Sequence, residues 1–315
     1  MRPPQRHIIL NPASGAGRTG KRQAEILALC DRHLGREYTL CVTREPGEAT
    51  ASARAAVSQG AELVVAVGGD GTIQEVVNGF FADGRPLNPD CALGIIDAGT
   101  GHGFAQSLRL PGEVVSQIEL IAGRTSRMVD VGRASYADGG GRHKERYFVN
   151  ECQAGIGGEV VKKVGAKNKR LGGRLAFGMS TLAAALRYPN QVVTVQVDER
   201  GPRTQKLIGV VMANGGFMAG GMKLAPGARL GDGLLDILLI HEQSLAERFR
   251  NFPRIYSGTH IDLPKFGLVQ GRRIILSSPE SVPFEADGEL WGFLPCRVEV
   301  LPAVLRVKSI QERGE

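Results

Sequence analysis

The sequence predicts a doubly wound, Rossmann-like α/β domain followed by a mostly antiparallel, β-sandwich-type second domain. Three observations carry that prediction. Strand, glycine turn and helix recur three times before Arg124. Beyond Arg124 the chain turns into short β-rich runs separated by turns. Finally, 315 residues suit two units of ordinary domain size, each long enough to bury its own core.

Taken in order, His7–Leu10 is an apolar run closed by Asn11-Pro12 and a glycine-rich turn, and Lys21–His33 then carries Ala24, Leu27 and Ala28 at helical spacing. Tyr38–Thr43 reads as a strand and alanine-rich Glu48–Gln59 as a helix. Leu63–Val67 is a continuous β-branched run, the mark of a strand buried on both faces. A glycine turn, a helix from Thr72 to Asn78, the strand Leu93–Ile96 and another glycine turn complete the unit. In such sheets ligands bind beyond the carboxyl ends of the strands, where these turns lie. In the second half, strands are predicted at Met128–Ser135, Arg146–Glu151, Gln191–Asp198, Leu207–Ala213, Leu234–Ile240, Arg273–Ser277 and Val298–Leu301. One helix, Leu171–Arg187, interrupts them, and Asp138–Lys144 reads as an exposed hairpin loop. The domains are placed at 1–125 and 126–302, with 303–315 free to return to the first.

Composition excludes several classes. Glycine, at 43 residues, is about twice its usual share, but without a three-residue period it implies tight turns and not collagen. No apolar run is long enough to span a membrane, and polar, proline-bearing Met1–His7 resembles no signal peptide. Five scattered cysteines without a C-x-x-C fit free thiols in a reducing cytoplasm. A net charge of +7 suits an anionic partner. The six histidines show no metal spacing, and no G-x-S-x-G elbow supports a serine hydrolase.

Two familiar patterns overlap in the first turn. Gly15-Ala16-Gly17-Arg18-Thr19-Gly20 matches the dinucleotide fingerprint, but no acidic residue stands where ribose binding needs one. With Lys21 the stretch approaches a Walker pattern, which fails at Arg22, where a magnesium-binding Ser or Thr belongs. What remains is the shared physics of glycine-turn amides before a helix, which suit phosphate oxygens. The second turn, Gly68-Gly69-Asp70-Gly71-Thr72, adds a carboxylate that a magnesium–nucleotide can use, although an acidic turn capping a helix has the same residues.

The motifs taken together resemble the diacylglycerol kinase catalytic-domain family, which includes bacterial soluble lipid kinases, sphingosine kinases and ceramide kinases. The resemblance runs through Asn11-Pro12-Ala13-Ser14-Gly15, the Gly68–Thr72 turn and Gly99-Thr100-Gly101. It continues through Asn214-Gly215-Gly216, Gly220-Gly221-Met222, Ala225-Pro226, Gly231-Asp232-Gly233-Leu234-Leu235-Asp236 and Asp287-Gly288-Glu289. It implies that Asn11, Pro12, Ser14 and Gly15, with Gly68, Gly69, Asp70, Gly71, Thr72, Gln74, Thr43 and Thr100, hold ATP. It further implies Glu289 as base, Asp287 as base or metal partner, and Asp70 in the catalytic group, acting with Mg2+ on a lipid hydroxyl. A second, structural magnesium is implied at the Asp232 side chain and the Arg229 and Leu234 carbonyls.

One segment departs from the family. Asp97-Ala98-Gly99-Thr100-Gly101-His102-Gly103-Phe104-Ala105 lacks the proline, asparagine and aspartate of P-x-G-T-x-N-D-F-A, so Gly103 removes the carboxylate that links the structural magnesium to the nucleotide domain. His102 then reads either as a phosphate or headgroup contact or as a turn residue. Lys162, Lys163, Lys167, Lys169, Arg170 and Arg174 precede apolar Leu175–Leu186, a pattern suited to peripheral contact with the anionic inner face of the membrane, or simply to a solvated loop before a core helix. With few aromatics there, a nucleic-acid partner is not expected; a homodimer is left open. The competing readings are an NAD kinase-like enzyme, which shares the second turn, and a nucleotide-binding regulator without turnover.

Overall fold

The computed structural model describes residues 5–138, 140–167, 188–218 and 220–310. The predicted helix Leu171–Arg187 lies outside the described residues, as does the basic and apolar stretch from residue 168 to 187.

The first half is a parallel sheet whose strands β1 (Arg6–Leu10), β2 (Thr39–Val42), β3 (Leu63–Gly68) and β6 (Ala92–Asp97) lie in the order β2-β1-β3-β6. Between them, β4 (Phe81–Ala82) and β5 (Arg85–Pro86) make a small separate hairpin. Every residue of β3 is buried because helices cover both faces. Ile9, Val64, Ala66 and Leu93 pack on one side against helices α3 (Glu48–Ser58) and α4 (Asp70–Phe80). Their sequence neighbours Ile8, Leu10, Val65 and Val67 pack on the other, against α2 (Gln23–Leu34) and α6 (Val114–Ala122). Alternation within one strand thus serves two cores. The turn after β1 is tighter than predicted: Gly15, Ala16 and Gly17 all have positive φ, and a four-residue helix α1 (Arg18–Lys21) precedes α2. A short helix α5 (Gly103–Ser107) follows the turn after β6.

The second half is an antiparallel sandwich that continues the same sheet. Strands β7 (Arg127–Ala137) and β8 (His143–Phe148) form the predicted hairpin around Asp138, whose carboxylate accepts from the amides of Gly140 and Arg142. The single strand expected at Arg146–Glu151 is instead two. A bend at Val149–Asn150 separates β8 from β9 (Glu151–Gly155). Helix α7 (Ile156–Lys167) follows, then β10 (Gln191–Val197), β11 (Arg203–Ala213) and β12 (Leu235–His241). Helix α8 (Leu245–Ser257) leads to β13 (Phe266–Gly271), β14 (Arg273–Ser277), β15 (Pro283–Ala286), β16 (Glu289–Phe293) and β17 (Cys296–Val307). The strand order β16-β15-β9-β11-β10-β14-β17 encloses a core of Phe148, Met212, Phe284, Trp291 and Val298. The last strand ties the halves together. It pairs antiparallel with β7 and β14, then its end runs parallel to β6 through Arg306↔Ala92 and Val307↔Leu93. No helix among the described residues is long and apolar enough to cross a membrane.

Candidate active site between the glycine turns and the Asp287–Glu289 hairpin

The predicted nucleotide residues of the first half come together at the carboxyl ends of β1, β3 and β6. Asn11 organises its own turn, accepting from the Ala13 amide and donating Nδ2 to Thr72 Oγ1 at 3.0 Å, so the two glycine turns are joined. Ser14 Oγ lies 2.6 Å from Thr19 Oγ1, and the Pro12 carbonyl accepts from the Gly20 amide. Thr43 is buried, its amide donating to the Leu10 carbonyl beside this turn. Thr100 is exposed at the rim.

The glycines are needed because backbone meets backbone. A Cβ on Gly99 would stand 2.5 Å from the Gly69 Cα, and one on Gly15, whose φ is +60°, would stand 2.6 Å from the Ala98 carbonyl oxygen. Asp70 has a role that the motif alone did not disclose. Its Oδ1 accepts from the Phe104 amide at 3.1 Å and its Oδ2 from the Gly103 amide at 3.3 Å, which ties α4 to α5. Burial raises its pKa above the ordinary carboxylate value.

His102 and Asp97, both at positions that depart from the family pattern, meet each other. His102 Nδ1 lies 2.6 Å from Asp97 Oδ2, with His102 in the left-handed region at φ 59°. Asp97 Oδ1 also accepts from the Gly99 amide. The pair braces the loop that presents the Gly103 and Phe104 amides to Asp70.

From the second half, Asp287 and Gly288 form a two-residue hairpin turn with φ 47° and 83°, joining β15 to β16. The two carboxylates of the motif do different things. Asp287 is buried and accepts from the amides of Val149, Asn150 and Glu151 at 3.0–3.1 Å, fixing the bend between β8 and β9. Burial, with the Asp70 carboxylate adding to it, holds its pKa up to about 7 although those amides favour the anion. Glu289 is the accessible one. Its Oε1 lies 3.4 Å from the position of a Cβ on Gly71, at the first turn of α4. Its Oε2 accepts from Arg146 Nη2 at 3.1 Å. Arg146 also reaches Gln74 Oε1 at 3.4 Å and stacks over the Trp291 ring, 4.8 Å from its centroid.

Sequence reading missed Arg146 and a buried acidic row. Glu151 and Gln153 on β9 stand beside Glu285 on β15 and Asp287 just after it, on the strand face opposite Cys152, Ala154, Phe284 and Ala286. Burial first, then the Asp287 charge, pushes Glu151 up to about 8; Glu285 is raised well above its usual value by burial and Glu151. The signal was present as period-two alternation of polar and apolar residues in Glu151–Ala154 and Phe284–Asp287. Helix α7 covers the row closely, since a Cβ on Gly158 would stand 2.9 Å from the Pro283 backbone.

An apolar cavity of about 90 Å³ begins at Gln153, whose Nε2 lies 3.2 Å from Met218 Sδ. Ile156, Met218, Met222, Ile240, Phe252 and Phe266 line it. Asp232 and Leu234, expected at the structural magnesium, share one turn. Asp232 Oδ1 accepts from the Leu234 amide, and neighbouring Asp130 accepts from the amides of Gly233 and Ala303. Among the described residues no three His, Cys, Asp or Glu side chains converge as a metal cluster.

This arrangement is a two-domain fold, a parallel α/β unit joined to an antiparallel sandwich. Comparison agrees: residues 5–134 match the diacylglycerol kinase catalytic domain and residues 150–309 the YegS C-terminal NAD kinase beta sandwich-like domain. A diacylglycerol kinase of Staphylococcus carnosus (strain TM300) is 30% identical over 288 residues, covering 91% of this chain and 89% of its own length. The chain belongs to the diacylglycerol kinase family. A crystal structure of a Bacillus anthracis str. Sterne diacylglycerol kinase superposes with TM-score 0.69 at 19% identity, over 98% of both chains. Yeast NADH kinase complexed with NADH shares the fold alone, with TM-score 0.52 at 11% identity over 99% of this chain and 85% of its own.

Proposed function

We propose that this protein is an ATP- and magnesium-dependent lipid kinase, visiting the membrane peripherally to phosphorylate a lipid hydroxyl of the diacylglycerol, sphingosine or ceramide type. The observation that carries the reading is the position of Glu289. A carboxylate from the second domain sits over Gly71 at the start of α4, where a nucleotide's terminal phosphate would meet helix-end amides. Further along the same β9–β15 face, from Gln153, opens the apolar cavity, which takes a section of alkyl chain and is bordered by the flexible thioethers of Met218 and Met222. The lipid hydroxyl then lies between chain cavity and phosphate. Glu289 accepts its proton as the hydroxyl oxygen bonds to the γ-phosphorus and the bond to the ADP oxygen breaks. Arg146 keeps Glu289 turned toward Gly71. Asp70, each oxygen holding one amide, retains lone pairs with which it would hold a phosphate-borne magnesium, whose chemistry is to neutralise charge on the transferring group.

The test is transfer of labelled γ-phosphate from ATP to diacylglycerol, sphingosine, ceramide and monoacylglycerol in mixed micelles. One labelled lipid is expected, with the rate falling on the order of 100-fold or more in Glu289→Gln. NADP formed from NAD with no labelled lipid would replace this reading with an NAD kinase. Tight ATP binding without any phosphorylated product would replace it with a regulator.

A further inference from the structure

The most exposed large apolar side chains among the described residues are Leu245 and Phe249, at 62% and 64%, while the others lie between 37% and 40%. Both are on α8, four residues apart and therefore on one face, which exposed Pro253 extends. The helix is firmly held without them. Ser244 and Glu247 form a reciprocal cap at its start, and Gly258 ends it at φ 82°. Arg248 is buried, reaching the Gln243 and Tyr188 carbonyls and Asn190 Oδ1. The inner face of α8, through Phe252 and Ile255, is a wall of the apolar cavity. Leu245 and Phe249 thus contribute to neither cap nor core, and their burial awaits another surface.

The charges beside them indicate which surface. Arg250 and Arg254 are exposed on the same helix, and Lys206 and Lys265 border its approach through backbone contacts to Glu242 and His241. The nearby acids are Glu242, Glu247 and Asp262, and Glu247 is committed to the Ser244 cap, against the four cations Arg250, Arg254, Lys206 and Lys265. A rigid helix with apolar contact residues and an excess of cations matches an anionic lipid–water interface.

We propose that α8 is the membrane-docking helix, with Leu245 and Phe249 entering the acyl boundary of an anionic bilayer and Arg250 and Arg254 at headgroup level. The inference rests on the lipid-substrate reading in one respect: a chain drawn from that interface meets the cavity directly beneath the helix.

Binding of the full chain to phosphatidylcholine vesicles, with and without phosphatidylglycerol, tests it without any turnover. Wild type is expected to sediment with the phosphatidylglycerol vesicles. Leu245→Ser with Phe249→Ser should weaken that binding about tenfold or more. Arg250→Gln with Arg254→Gln should weaken it only on the anionic vesicles, and less so at high salt. The proposal falls if wild type ignores vesicles, or if the Leu245/Phe249 variant binds them as wild type does. It also falls if that variant merely converts a dimer to a monomer by light scattering, which would assign the face to a second copy. Vesicle binding through α8 with no lipid phosphorylated would sink the kinase reading and leave the docking intact.

Discussion

At the residue scale, the loop after β6 shows how one departure from a family pattern compensates another. Asp97 and His102 replace a proline and an asparagine of the pattern, and they form a contact of 2.6 Å that fixes the loop supplying two amides to Asp70. Neither residue is explained alone. A double-mutant cycle with Asp97→Asn and His102→Ala, read by denaturant unfolding, should give a coupling of about 0.5–1 kcal/mol, the low end because the imidazole is 41% exposed. Additive effects would show that the pair is incidental to the loop.

At the scale of elements, the site depends on two glycine turns that touch. The Gly69 and Gly99 backbones leave no room for a methyl group, and Gly69 sets the first turn of α4 while Gly99 sets the approach to α5. Gly99→Ala should therefore force the turns apart, lowering the melting temperature by several degrees and ATP affinity at least tenfold. Unchanged ATP affinity in a folded Gly99→Ala protein would mean that the nucleotide does not use this junction. Asp287 works at the same scale. Expected from the resemblance as base or metal partner, it also accepts three amide bonds that fasten the β15–β16 hairpin to the β8–β9 bend, while Glu289 faces the cleft.

At the scale of the whole molecule, Glu151, Glu285 and Asp287 place three carboxyl groups in one dry region where the halves meet. Burial raises all three, so each binds its proton more tightly folded than unfolded. The stability that the protonated forms contribute is complete below the ordinary carboxylate range and is lost as pH rises through about 7 to 8, the values of Asp287 and Glu151. The melting temperature is expected to fall by several degrees between pH 5 and pH 8, and Glu151→Gln should flatten that slope by removing a charge from the row. A wild-type profile flat or rising over that interval would contradict the burial of these groups as acids.

Much of the fold was readable because its causes are local. The all-buried run Leu63–Gly68, the glycine turns and the helical spacing of α2 and α3 state a doubly wound sheet before any packing is known. The motif residues Asn11, Gly68–Thr72 and Asp287–Glu289 were readable for the same reason: turn chemistry is written in neighbouring residues. Helices α7 and α8 and strands β13, β15 and β16 were not, since short amphipathic segments owe their form to what they pack against. The division of labour between Asp287 and Glu289, the reach of Arg146 across to Gln74 and the pairing of Asp97 with His102 depend on strand register and on the return of β17 to β6. Sequence determined which chemical groups the protein owns and which turns carry them. Tertiary structure alone decided which carboxylate is dry and which is available, because desolvation and approach across two domains are properties of the folded surroundings and not of the residue.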